Sequence, residues 1–260
     1  VQGFATGLRY LLLGQRWVFG RPRQLLFGLL PALITFVLYA AALVALAVWA
    51  GDIAVWATPF ADDWGSPWQS VLRAVFALLL VGAGVLLAVL TFAAVTLLVG
   101  EPFYEALSER VEDSVGGAPP GPDRSLWGDL VVSVRDSVQV LWRVALFTVP
   151  LFFLGFVPVL GQTVVPVLGF AVSGFFLTVE LTSVAMERRG LSVPERVRIL
   201  RGGMGTALGF GVPLVVLFLV PLAAVVLMPG AVAGAALLVR DLTGEPEPEP
   251  PAVGVALGKD

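Results

Sequence analysis

The chain has no cysteine and no histidine. The first absence excludes disulfides, thiolate metal sites and thiol nucleophiles. The second removes the commonest general base and metal ligand. Charge is also scarce: 13% of residues are charged, whereas a soluble domain carries about 25%. Lysine occurs once, at Lys259, so arginine supplies fifteen of the sixteen cations. No Walker loop, zincin pair, Ser-His-Asp set or dinucleotide fingerprint is present. These gaps argue against an enzyme, a metal site and a cofactor. The formal net charge of −3 gives no reason to expect a nucleic-acid partner.

Apolar surface is what the chain has in excess. Of 260 residues, 58% are hydrophobic, more than a soluble core can hide, so a lipid bilayer is the expected solvent. Leu25 to Gly51 and Ala74 to Gly100 are uncharged stretches of 27 residues each, about 40 Å as helix. Each is long enough to span a hydrocarbon core of about 30 Å. No cleavable signal pattern is expected, because four arginines precede the first stretch and it is too long for a signal core.

Two longer uncharged stretches, Val144 to Val179 and Gly202 to Val239, each carry three prolines. Pro150, Pro158 and Pro166 recur as Pro213, Pro221 and Pro229, 63 positions later, within VPLFFLGFVPVLGQTVVP and VPLVVLFLVPLAAVVLMP. The shared spacing reads as an internal repeat. Proline lacks an N–H and clashes with the preceding turn, so each stretch is expected to bend, at Pro158–Thr163 and Pro221–Val225. Arms of roughly 14–16 residues, about 21–24 Å, then read as partial insertions. Two kinked full spans per stretch are the alternative.

Between these stretches, Leu126, Leu130, Val134, Val138 and Leu141 mark one helical face, with Trp127 and Trp142 at the ends, while Asp129, Ser133, Asp136 and Ser137 are polar. This pattern suits an interfacial helix. Ser192 and Glu195 form a capping-box pattern with Pro194 in the first turn, opening a short basic helix with Arg196, Arg198 and Arg201. Gly205-xxx-Gly209 and Gly230-xxx-Gly234 permit close helix packing. The expected organisation is one membrane domain over residues 1–242 and a disordered acidic, proline-rich tail over 243–260.

Arginine placement sets an expected orientation. Arg9, Arg16, Arg21 and Arg23 precede the first span, Arg110, Arg124, Arg135 and Arg143 follow the second, and Arg188 to Arg201 lie between the bent stretches. The segment 52–73 has only Arg73, beside Asp52, Asp62 and Asp63. The positive-inside rule then puts both termini in the cytoplasm and Trp56, Trp64 and Trp68 at the outer interface.

Three groups are candidate site residues. Arg21 and Arg23 flank Pro22 just before a helix start, an anion-attracting corner, or else topology determinants that meet lipid headgroups. Glu101, Glu105, Glu109 and Arg110 form either a charged mouth for ions or a solvated helix face whose first-turn acids complement the dipole. Arg143 and Glu180 fall at similar depth on opposite arms, as a gate or as a clasp.

The stretches GLRYLLLGQRW (7–17), LLPALI (29–34), EPFYEALSERVEDSVGGAPP (101–120), FVPVLGQTVVPVLGF (156–170) and VPLAAVVLMPGAVAGA (220–235) occur in order along the chain. In these the chain resembles the CysZ sulfate permeases of bacteria and the wider etoposide-induced-protein family. The resemblance implies an all-α membrane protein of the bacterial inner membrane: two long transmembrane helices, two partly penetrating re-entrant hairpins and amphipathic interfacial helices. It also implies a homo-oligomer that passes sulfate, a small inorganic oxyanion, without an evident energy-coupling domain. Gln162, in the Pro-x-x-Gly-Gln-Thr apex, joins the pore candidates on this ground. The family binds sulfate at a Gly-x-Arg-Arg step opening the first long helix. Here RPRQLLFGLLP (21–31) has Leu25 and Leu26 in place of the arginine pair, with Arg21 and Arg23 a few positions upstream. A non-transporting scaffold or lipid-organising membrane protein is the competing expectation.

Overall fold

A computed structural model describes residues 2–117 and 126–245. Among these residues the regular structure is all helical: α1 (Gln2–Phe19), α2 (Pro22–Ala57), α3 (Trp68–Asp113), α4 (Leu126–Leu154), α5 (Leu160–Leu181), α6 (Ser183–Arg188), α7 (Val193–Gly202), α8 (Met204–Phe218) and α9 (Pro221–Leu242), with a 3-10 turn at Pro59–Ala61. The segment around Arg124 and the acidic tail beyond Glu245 lie outside the described residues. Among the described residues five helical segments are long and apolar enough to cross a membrane: α2, α3, Val134–Leu154 of α4, α5, and Leu222–Leu242 of α9; the bent pair α7 and α8 makes a sixth if counted as one span. The chain divides into two compact units, residues 29–102 and the remainder.

In the unit of residues 29–102, α2 and α3 run out to a short connection and back. Tyr39 bonds Thr91 at 2.8 Å and sets its ring edge-on to Phe92, tying the two helices together. At the connection the Thr58 hydroxyl donates to the Ala54 carbonyl at 2.7 Å, and Arg73 pairs with Asp62. The only cation of the 52–73 segment is thereby neutralised. Trp56 and Trp68 are 82% and 72% exposed beside it.

The other unit is built on glycine contacts. A β-carbon on Gly7 would collide with the Thr206 backbone, one on Gly14 with Gly234, and one on Gly209 with Phe4. Backbones this close need residues without side chains, and they seat α1 against α8 and α9. Gly174 and Gly211 do the same for α5 and α8. There the Thr178 hydroxyl reaches the Ala207 carbonyl across the contact at 2.8 Å. At the α6–α7 end, Phe175, Val179, Met186, Val193, Val197 and Leu200 form an apolar cluster.

The chain reverses at residues 155–159 and again at residues 219–220. The first break begins before the expected Pro158–Thr163 and overlaps it at Pro158 and Val159; the second falls just before the expected Pro221–Val225, because a proline suits the first turn of a helix. Pro221 opens α9, and Gly161, Gln162 and Thr163 already belong to α5. Val159 has φ 71 and ψ −54, and the Leu160 N–H donates to the Pro158 carbonyl at 2.9 Å. That is a γ-turn of the rare, strained kind, unusual for a β-branched residue. The arms are longer than the expected 14–16 residues: α5 and α9 have 22 each, although α8 has 15.

Two boundaries differ from expectation. Pro102 does not start a helix but lies inside the 46-residue α3. The amphipathic segment from Leu126 is continuous with the first apolar arm in α4, which has 29 residues. In both places the charged residues stop the apolar run without stopping the hydrogen-bonded helix. The capping pattern holds: the Glu195 carboxylate accepts from the Ser192 N–H at 2.8 Å at the head of α7. Its bonds to the Ser192 hydroxyl and N–H keep that carboxyl below its usual range. α7 and α8 meet at 99°.

Candidate functional site

The junction of α1 and α2 gathers exposed guanidinium groups. Gly20 and Arg21 break the helix, and the Arg21 carbonyl accepts from the N–H of Gln24 and Leu25, opening α2 around Pro22. The Arg21 side chain folds back over the Trp17 ring, 4.4 Å from its centroid, and donates to the Trp17 carbonyl at 3.2 Å. Arg110, near the end of α3, lies 3.9 Å from the Phe27 ring centroid and donates to the Gln24 amide oxygen at 3.2 Å. Trp17 in turn donates to the Ser114 hydroxyl at 3.2 Å. Arg21, Arg23 and Arg110 are all exposed. The described partners of Arg21 and Arg110 are rings, a carbonyl and an amide, none of which cancels charge. A small anion arriving here would meet forked, charge-assisted donors.

The family's arginine step is absent in space as well as in sequence. Leu25 packs against the apolar cluster of Val18, Val111, Ala233 and Ala236. Leu26 is 67% exposed and offers no donor.

The remaining candidates are spread out. Glu101, Glu105 and Glu109 are exposed on α3. Because α3 is continuous through Pro102, they do not sit on a helix first turn, and the expected dipole complement does not arise. Arg188 donates to the Glu105 backbone carbonyl at 3.0 Å. Gln162 is exposed in the first turn of α5. Arg143 donates to the Gln139 carbonyl at 2.9 Å, and Glu180 lies on an exposed face of α5. Among the described residues no group of three or more Asp, Glu, His or Cys side chains could hold a metal ion.

Sequence reasoning missed a second charged centre. Glu112, fully buried, faces Arg189: Nη1 donates to Oε1 at 3.2 Å, and Nη2 lies 3.0 Å from Oε2, an ion-pair contact without an aligned hydrogen bond. Arg189 also grips Glu245, with Nε at 2.6 Å from Oε1 and Nη2 at 3.0 Å from Oε2. Arg240 Nη1 stands 3.3 Å from the same carboxylate and donates to the Gly117 carbonyl at 3.0 Å. Hydrogen bonding from Arg189 holds the Glu245 carboxyl below its usual range. Arg196, one of the arginines of the short basic helix, turns inward to the Leu191 carbonyl at 2.7 Å and to Asp136 at 3.3 Å. Separations of 77 and 56 positions between partners leave no local signal.

Long apolar helices, two reversals and an exposed arginine rim define a multi-pass α-helical membrane protein. The family model described as Sulfate transporter CysZ/Etoposide-induced protein 2.4 matches residues 10–229. The chain belongs to that family. It is 30% identical over 237 residues to a Sulfate transporter CysZ of Pseudomonas syringae pv. tomato, covering 89% of this chain and 90% of that protein. A Sulfate transporter CysZ of Pseudomonas fluorescens is 29% identical over 241 residues, with 89% and 92% covered. One from Vibrio parahaemolyticus is 29% identical over 151 residues, covering 55% of this chain and 59% of the relative. All three relatives are named as transporters.

Proposed function

We propose that the chain is an inner-membrane permease or channel for a small inorganic oxyanion, foremost sulfate. The observation that carries this reading is the rim itself: Arg21, Arg23 and Arg110 are exposed, and rings and neutral oxygens rather than carboxylates position Arg21 and Arg110. The relatives' printed name, sulfate transporter, supplies the ion. Glu101, Glu105 and Glu109 serve in this reading as the acidic side of the ion's entrance, and Gln162 as a polar group near a hairpin tip. Arg143 and Glu180 act as a clasp between the arms of the first hairpin. Residues 1–242 work as one domain.

In the same reading both termini are cytoplasmic and the 52–73 connection is outside. The neutralised Arg73 and the exposed tryptophans favour that sense. The hairpins enter the bilayer without crossing it. In the second hairpin depth is limited by the shorter arm, since the 15 residues of α8 reach about 22 Å of the roughly 30 Å core; both arms of the first hairpin are long enough to cross, and partial insertion there rests on the family resemblance. Irregular backbone at such depth must be covered by protein. Phe156, Val159, Leu219 and Val220 are exposed at the tips, so further copies of the chain cover them in a homo-oligomer.

The test is uptake of radiolabelled sulfate into proteoliposomes by the parent and by Arg21→Gln with Arg23→Gln, membrane insertion being checked in both. Loss of charge-assisted bonds should reduce uptake about tenfold or more. Undiminished uptake in the double variant removes the site. Absence of uptake in the parent gives way to the scaffold reading.

A further inference from the structure

The buried charged centre contains one member that differs from the rest. Glu112, Arg189 and Arg240 are carried by helices or the turn next to one, and their side chains are 0%, 7% and 8% exposed. Glu245 lies outside any helix, follows Gly244 at φ 73, and is 26% exposed. Its carboxylate receives two parallel bonds from Arg189, one contact from Arg240 and a hydrogen bond from the Thr243 hydroxyl at 3.1 Å. That donor set suits two oxygens of a sulfate or phosphate as well as a carboxylate.

Charge points the same way. Glu112, Arg189 and Arg240 sum to −1 + 1 + 1 = +1 when Glu245 is removed. Arg240 Nε is buried and unpartnered even with Glu245 present. A buried guanidinium that loses its carboxylate needs another anion. Among the described residues of the centre Glu245 is the acid that no helix carries, whereas Glu112 belongs to α3 and is fully buried.

We propose that Arg189 and Arg240 form an oxyanion-binding site separate from the Arg21 and Arg23 rim, and that Glu245 occupies it as an internal competitor. Its ligand is a small tetrahedral oxyanion such as sulfate or phosphate. Binding of the anion releases Glu245, and with it the attachment of the segment at Glu245 to the turn after α6 and to α9. Attachment of that segment therefore reports the anion concentration on its side of the membrane. The proposal concerns binding and stands whether or not the protein transports.

The test uses the full chain in nanodiscs, in the Arg21→Gln, Arg23→Gln, Arg110→Gln background so that the rim contributes nothing. Equilibrium dialysis with radiolabelled sulfate should show about tenfold tighter binding when Glu245→Gln is added, since a competing charged acceptor is gone. Further addition of Arg240→Gln should abolish the gain. Unchanged affinity on Glu245→Gln, or a gain that survives Arg240→Gln, overturns the proposal. Thermal melting separates a site from a purely structural latch. The Glu245→Gln chain should melt lower in chloride and recover in sulfate at equal ionic strength, and failure to recover overturns the site. A further readout leaves Glu245 intact. With Thr243→Cys in this cysteine-free chain, maleimide reactivity should rise with sulfate, and a flat response counts against the proposal. Tighter binding without any flux in the parent would overturn the transport reading alone.

Discussion

Arg110 and Arg189 are both guanidinium groups of the same helical unit, yet their surroundings are opposite. Arg110 is exposed and rests on the Phe27 ring; Arg189 is 7% exposed and is fixed between two carboxylates. The same contrast separates Arg21 and Arg23 from Arg196 and Arg240. A buried charge is tolerated only when paired and hydrogen-bonded, so the inner arginines are spent on Glu112, Glu245 and Asp136. An exposed arginine has no such requirement. Stacking on an aromatic ring holds it in place without cancelling its charge, which leaves the charge to act on whatever approaches. Burial, rather than residue type, therefore decides which arginines hold the fold and which can meet an ion.

The contrast can be broken most forcefully at Glu112. Glu112→Ala leaves a buried void and leaves Arg189 and Arg240 to share the single carboxylate of Glu245, and the loss should approach the roughly 3–5 kcal/mol of a broken buried pair, read as a large drop in melting temperature. Adding Arg189→Leu should recover much of that loss, because apolar replacement of a buried pair is often near neutral. If the double variant is worse than the single one, the pair is not the unit described here. The rim should behave in the opposite way. Arg110→Gln should cost about 0.5–1 kcal/mol of stability while reducing sulfate binding severalfold. A stability loss as large as that of Glu112→Ala would erase the distinction between the two groups. Acid should act most gently. The folded Glu245 carboxyl lies below its usual range, so its ties stabilise at neutral pH and are lost as pH falls through that lowered value. Melting temperature should decline over that acidic window in the parent and less steeply in Glu245→Gln.

Much of this arrangement was legible before any coordinates. The two long spans, the reversals near Pro158 and Pro221, the capping of α7 by Glu195 and the tight glycine spacing in α8 and α9 are local features, written in a few adjacent residues. Helix ends were less legible. The charges at Glu101 and Arg143 mark the end of apolar sequence, and α3 and α4 run straight through them. Charge reports where lipid solvation can stop, whereas a helix stops where its backbone loses partners. The partners of Glu112 and of the glycines in α1 were not legible at all, since a carboxylate or a bare backbone patch does not encode which distant element will meet it.

The glycine seat of α1 has a consequence for biogenesis. Gly7 and Gly14 fit against Thr206 and Gly234, so α1 finds its place only after α8 and α9 have been synthesised. Until then α1 presents Tyr10, Leu11 and Val18, all buried in the finished protein, to the translocon or to the bilayer surface. Contacts between chain ends are slow to form, because a long loop must close before they contribute. The two long spans can insert before α9 is made, whereas closure of this unit must wait for α9. A ribosome that stalls before residue 230 would leave an inserted chain with its first helix still unseated, a form that a membrane quality-control protease can recognise.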